Sequence, residues 1–281
     1  VLSLPRSLDL PLPILLIAVA ELLIYAGHMQ AAVAVHAGNL IFLALSNAYI
    51  EDRTYQALML LPLFRLLNIA MPVFFNLTLY TYAMIYAPMY ISMFLLLRSR
   101  TFKSAELGLS SENLKLYLPL GAAVGLLLGW GEYQVLRPEM LIPDAGWRMM
   151  LELSLIMVFF VGLVEEFVFR SVLQTSLESS LGRYKSLFLA SALFALMHSG
   201  YHMFSEILFV FVAGLVFGAL FLWFRNLPMI TLAHGVTNIS LFAITPLNPG
   251  FGLPALYVLL ILITGGVTMK LISASKQGTA G

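Results

Sequence analysis

Apolar residues run along this chain in long blocks separated by short polar connections, with no sustained alternation of period two. Blocks at 11–27, 30–49, 56–75, 77–97, 116–136, 150–173, 186–200, 204–224, 228–244 and 253–272 stand out. A helix needs about 20 residues to cross the hydrocarbon layer, and within lipid it satisfies every backbone donor and acceptor from its own segment. The pattern therefore predicts an all-α, polytopic transmembrane helix bundle of roughly ten spans. The seventh and ninth blocks are short, so the count can be drawn as low as eight. The ten-residue alternating segments of a membrane barrel are missing.

Composition agrees, with 60% of residues hydrophobic and only 10% charged, far from a soluble domain. A net charge of +1 offers nothing to a nucleic acid, and no nucleic-acid partner is expected; the partner is the lipid bilayer. The chain has no cysteine, which removes disulfides, thiol nucleophiles, cysteine-bound metals and palmitoylation together. The first residue is Val1, so an initiator or short leader is expected ahead of it.

The one long polar connection, RSRTFKSAELGLSSENLK at 98–115, divides an N-terminal module of about four helices (1–97) from a C-terminal bundle (116–273). Ser110 or Ser111 is a candidate cap for a short surface helix there, and 274–281 reads as a frayed tail. With the N-terminus in the cytoplasm, the inner face collects Arg6, Arg53, Arg98, Arg100, Lys103, Lys115, Arg183, Lys185, Arg225, Lys270 and Lys276. The outer face has only Arg137 and Arg148. That asymmetry sets the predicted orientation, in a plasma membrane of prokaryotic type. Arg65 and Arg170 fall inside spans and need partners. Glu21 lies at nearly the depth of Arg65, and the two are expected to face each other as a structural ion pair.

The stretch VGLVEEFVFRSVLQ at 161–174 places two glutamates and an arginine where lipid would be. Adjacent residues on a helix project about 100° apart, so Glu165 and Glu166 cannot share one task. Glu166 and Arg170 stand four apart with the acid first, the favourable order for an ion pair. Glu165 is then the carboxylate left for proton transfer. FALMH at 194–198 sets Phe194 one turn from His198, and HGVTN at 234–238 sets His234 one turn from Asn238. Glu165, His198 and His234 lie at similar depths, about 13 to 20 Å from the cytoplasmic ends of their spans. A free carboxylate, two imidazoles and an amide in one layer match the needs of amide hydrolysis: a base for water and donors for an oxyanion. Such a site requires a polar cavity, expected to open toward the cytoplasm and to be lined by Glu165, His198, His234 and Asn238.

These three segments resemble the signature motifs EExxxR, FxxxH and HxxxN of the CAAX protease and bacteriocin-processing family of intramembrane proteases, which includes the type 2 CAAX prenyl protease. The likeness spans 152–243, and ELGLS at 106–110 is similar to what often precedes that core. The resemblance implies that Glu165 is the general base on water, that His198 helps hold the water, and that His234 and Asn238 form the oxyanion hole. Glu166, Arg170 and Phe194 would support them. It implies an endopeptidase acting near the cytoplasmic face on a membrane-embedded or lipidated peptide, in CAAX processing by removing three C-terminal residues from a prenylated substrate. No cofactor is expected; zinc held by Glu165, His198 and His234 is the alternative, although the chain contains no HExxH.

Two readings from other classes stand beside this one: a proton-coupled transporter, since intramembrane Glu, Arg and His also build proton relays, and a non-catalytic immunity or scaffold protein. Asp9, Asp52 and Asp144 all lie outside the spans, which excludes a paired-aspartate protease, and GxSxG is absent. His28 and His202 read as interfacial residues and His36 as a packing or hydrogen-bonding residue. Gly121, Gly125 and Gly129 read as a close helix contact. Tyr80, Tyr82, Tyr86 and Tyr90 read as an aromatic belt running inward, and Pro62 and Pro72 as a bend in the third span.

Overall fold

A computed structural model describes residues 11–50, 52–71 and 78–252, together with 257 and 261. Among them regular structure is helical throughout, with no strand. Helices α1 (Pro11–Tyr25), α2 (Met29–Ile50) and α3 (Arg53–Ala70) are followed by α4 (Leu79–Tyr86), α5 (Met89–Ser99) and α6 (Leu114–Leu136). A long rod then comprises α7 (Trp147–Leu155), α8 (Leu163–Glu166) and α9 (Thr175–Leu181), joined without a break by two stretches of wide π turns, Ile156–Gly162 and Phe167–Gln174. Helices α10 (Arg183–Leu196), α11 (Phe204–Phe224), α12 (Leu227–Ile239) and the short α13 (Thr245–Leu247) complete the described bundle.

Among the described residues five helical stretches are long and apolar enough to cross a membrane: Met29–Ile50, Leu79–Ser99, Leu114–Leu136, Phe204–Phe224 and Leu227–Leu247. The second combines α4 and α5 across the Pro88 step. Helix α1 is apolar but shorter. Leu15, Ile41, Ile91, Phe94, Phe188 and Leu208 are more than half exposed on the outer surface, as lipid-facing residues are. The block expected at 150–173 proves longer at both ends, because the wide turns carry the helix on without a cap. The last expected span, 253–272, and the bend at Pro72 lie outside the described residues apart from 257 and 261; Pro62 sits within α3.

The polar connection is docked rather than loose. No helix forms over 100–113; instead the chain makes successive turns, and the Ser110 hydroxyl accepts the Glu112 N–H at 3.1 Å, closing a turn rather than capping a helix. Gly108 sits at φ +69°, with room for no side chain: a Cβ would lie 2.7 Å from the Phe221 ring. Its carbonyl accepts the Leu227 N–H at 2.8 Å, and Ser171 donates to the neighbouring Leu107 carbonyl at 2.7 Å. The ELGLS segment thus wedges between the rod and the start of α12.

Small residues bring α6 and the rod against α12. A Cβ on Gly121, Gly125 or Gly129 would fall 2.6, 2.2 or 2.2 Å from the carbonyl oxygens of Met229, Ala233 and Thr237. These oxygens sit at four-residue spacing, so the stripe follows one face of α12. On the other side Gly162 meets the Gly235 N–H, where a Cβ would be 3.0 Å away. Backbones this close hold α12 by van der Waals contact, the main source of helix association in lipid. Gly125→Val should therefore force α6 and α12 apart, costing about 1–3 kcal/mol or more, and should displace His234, which follows Ala233. Gly131→Ala meets only the edge of the Phe209 ring, at 3.2 Å, and should be mild. Melting curves of both variants in detergent check this; equal loss in the two would remove the special role of the stripe.

Candidate active site

The rod sets the frame. Glu165 and Glu166 lie on its only short α-helical turn, between the two π stretches. Such wide turns tend to occur at functional positions, because they re-aim side chains on an otherwise regular helix. Glu166 is fully buried and points toward α12. It pairs with Arg170 one turn on, at 3.3 Å, and receives His234 Nδ1 at 2.6 Å. The His234 ring reaches it because Gly162 and Gly235 let the two backbones touch.

Arg170 is 1% exposed, and its remaining contacts explain how a cation is held there. It donates to the Gly214 carbonyl at 3.2 Å and lies over the Phe194 ring, 4.2 Å from the centroid. One turn further, Gln174 donates to the Gly218 carbonyl at 3.1 Å. Phe217 stacks on His234 at 5.3 Å with 12° between the planes, and Phe194 meets the same imidazole edge-on at 5.9 Å. Phe194 therefore serves both the cation and the imidazole.

Glu165 faces the other way. One carboxylate oxygen accepts the hydroxyl of Tyr86 from α4, and the other lies 3.7 Å from His234 Nε2, beyond hydrogen-bond reach. Glu165 also forms part of the wall of a cavity of about 350 Å³, bounded by α3, α4, the rod and the turn after α10. Asn68, Tyr82, Tyr86, His198 and Tyr201 share that wall. His198 follows the end of α10; its Nδ1 engages the Phe194 carbonyl at 3.0 Å and its ring stacks near Tyr201.

Of the four residues expected to line the cavity, Glu165 and His198 do so; His234 meets Glu165 from behind, and Asn238, half-buried one turn along α12, is not part of the wall. The direction of the cavity also differs from expectation. Arg53, Glu106, Glu178, Arg183 and Arg225 interlock at one end of the bundle. Asn68, Thr81 and Tyr201 lie toward the opposite end, where His202 Nδ1 meets the Tyr25 carbonyl at 3.0 Å. The cavity thus extends from Glu165 away from the basic end. The reason is local: α10 stops at Leu196, so His198 sits in a turn beyond the helix rather than deep within a span.

Behind the cavity, α1 and α3 add a second buried ion pair. Arg65 donates from Nε and Nη2 to the two oxygens of Glu21, at 2.8 and 2.7 Å. Ser199 donates to Glu21 at 2.6 Å and His36 Nε2 lies 3.2 Å from it. His28 is exposed. Nothing in the sequence singles out Tyr201, Asn68 and Ser199, and the tyrosine pattern reads Tyr82 and Tyr86 as belt residues rather than as members of the site. The tyrosine series held a usable signal: residues 82 and 86 are four apart and face the cavity, whereas Tyr80 is 53% exposed, as a belt residue is. Two further buried carboxylates, Glu132 on α6 and Glu206 on α11, lie outside the cavity wall. Among the described residues no three His, Asp or Glu side chains gather closely enough to hold a metal ion.

Residues 147–240 match a family described as type II CAAX prenyl endopeptidase Rce1-like. No curated protein and no solved structure matches the chain. The matched segment contains Glu165, Glu166, Arg170, His198, His234 and Asn238; α1 to α6, including Tyr86 and Arg65, lie ahead of it.

Proposed function

We propose, from the type II CAAX prenyl endopeptidase Rce1-like domain that residues 147–240 form in this multi-pass membrane protein, that the chain hydrolyses a peptide bond within the bilayer by means of a glutamate-activated water. One observation carries the assignment of the base: of two adjacent buried carboxylates, only Glu165 faces the cavity, while Glu166 is committed to Arg170 and His234. Glu165 takes a proton from water and the resulting hydroxide adds to the scissile carbonyl. The C–N bond then breaks, and the proton passes from Glu165 to the departing amine. His198, with Nδ1–H donated to the Phe194 carbonyl, presents Nε2 as an acceptor that orients the water. His234, its Nδ1–H directed at Glu166, donates from Nε2 to the oxyanion when the ring is an imidazolium. Asn238 is the further donor proposed for that oxyanion. No metal is required in this scheme.

The substrate class we propose is a lipidated or membrane-embedded peptide, in CAAX-type processing a prenylated C-terminus that loses its last three residues. The test is to incubate the reconstituted protein with prenylated and unprenylated peptides, with and without a chelator, and to weigh the products. Release of the tripeptide from the prenylated peptide alone, unaffected by chelation, is expected. Cleavage abolished by chelator and restored by zinc would replace the metal-free scheme, and intact peptides in every arm would remove the peptidase reading.

Because Asn238 stands outside the cavity wall, Asn238→Ala should slow cleavage less than His198→Ala, which removes a wall residue. Initial rates of the two variants measure this; a greater loss at Asn238 would mean that the wall is rearranged when substrate is bound.

For the bundle as a whole we propose roughly ten spans with the N-terminus and the basic end in the cytoplasm. The scissile bond then lies near mid-membrane, at Glu165, and the cavity leads from it toward the other face. A chain without cysteine makes the check direct. In intact cells an impermeant thiol reagent should label His28→Cys and spare Lys103→Cys; the reverse pattern would invert the bundle and turn the cavity to the cytoplasm.

A further inference from the structure

We propose that the Glu21–Arg65 pair, which belongs to α1 and α3 and lies outside the matched domain, is the device that positions His198, with Ser199 as its coupling residue. The proposal rests on the role given to His198 above.

His198 is held by little of its own helix. It follows the end of α10 and has φ −99° and ψ 11°, outside helical geometry, and Ser199–Tyr201 form a single 3-10 turn after it. The peptide groups on either side of His198 need an external anchor, and one ion pair supplies both. Arg65 Nη2 donates to the carbonyl of Met197, the residue before His198. Glu21 Oε2 accepts the hydroxyl of Ser199, the residue after it, at 2.6 Å. Arg65 and Glu21 are themselves joined by two parallel hydrogen bonds, a geometry that fixes orientation as well as distance. Three consecutive residues are therefore clamped at both ends to a rigid pair that is 0% exposed at Glu21 and 6% at Arg65. The Phe194 carbonyl and the face of Tyr201 then settle the ring. Arg65 also forms part of the cavity wall beside His198. Glu21 and Ser199 stand outside that wall, so they act on catalysis only through the placement of His198.

The experiment uses substitutions that loosen the clamp without stranding a charge: Ser199→Ala, Arg65→Lys, and the double variant Glu21→Gln with Arg65→Gln. Turnover is measured with the peptide that the wild type cleaves. Placement is read separately from activity, as the rate at which a small maleimide labels His198→Cys, alone and combined with each loosening substitution, in a chain that has no other cysteine. Ser199→Ala should lower kcat about tenfold with KM and melting temperature little changed, since small displacements of a positioned group act on the chemical step. The loosening substitutions should change the labelling rate by about threefold or more. Unchanged labelling with unchanged kcat in Ser199→Ala and Arg65→Lys overturns the proposal, as does a kcat loss that merely follows a fall in melting temperature. If His198→Ala itself retained wild-type turnover, the role given to His198 would fail, and the labelling rates would still decide whether the pair positions the turn.

Discussion

Glu165→Gln should fold and melt as the wild type does, bind substrate, and lose turnover by about 100-fold or more. The amide keeps the shape of the side chain and still accepts the Tyr86 hydroxyl, but it has no basic oxygen to offer water. Glu166→Gln should fail in a different way. It leaves Arg170, 1% exposed, without its carboxylate, and it also removes the acceptor of His234 Nδ1. Breaking one side of a buried pair typically costs about 3–5 kcal/mol, so this variant should show a lowered melting temperature or yield together with impaired cleavage. A second substitution, Arg170→Gln, should recover part of the stability and little of the activity, since His234 remains unanchored. The measurements are a melting curve in detergent and a cleavage assay for the three proteins. Near wild-type turnover in Glu165→Gln, or equal destabilisation by the two glutamines, would refute the division of labour between these neighbours.

The second large effect lies in α1 and α3. Glu21→Leu strands Arg65 together with the bonds from Ser199 and His36, and should cost about 3–5 kcal/mol. Replacing both partners, Glu21→Leu with Arg65→Leu, should cost far less, because an apolar pair needs no solvation in that layer. The size of the non-additivity in a double-mutant cycle is the quantity to be measured. Additive losses would show that the two side chains contribute independently, despite the two hydrogen bonds between them.

How much of this was legible beforehand follows from the range of each interaction. Glu166 with Arg170 is a contact within one helix, four residues apart, and spacing alone is enough to pose it. The stripe of Gly121, Gly125 and Gly129 announces a close contact, yet the sequence does not say that its partner is the carbonyl ladder of Met229, Ala233 and Thr237. Tyr86 meeting Glu165 joins residues 79 positions apart, and Ser199 meeting Glu21 joins residues 178 apart. Neither pairing leaves a periodic trace. The π stretches on either side of Glu165 were equally invisible, since a wide turn arises from packing rather than from a residue type that demands it.

What the sequence determined by itself was the solvent and the inventory: long apolar blocks with few charges can satisfy their backbone in lipid only as helices, and each ionisable group left inside them must have a partner or a task. Tertiary structure alone decided which group received which. It turned Glu166 inward to Arg170 and His234, left Glu165 on a cavity wall with Tyr86 and His198, kept Asn238 off that wall, and directed the cavity away from the basic end. The physical reason is that burial and hydrogen bonding depend on which helix faces meet. Those faces are set by glycine contacts and wide turns summed over several helices, and no local spacing encodes that sum.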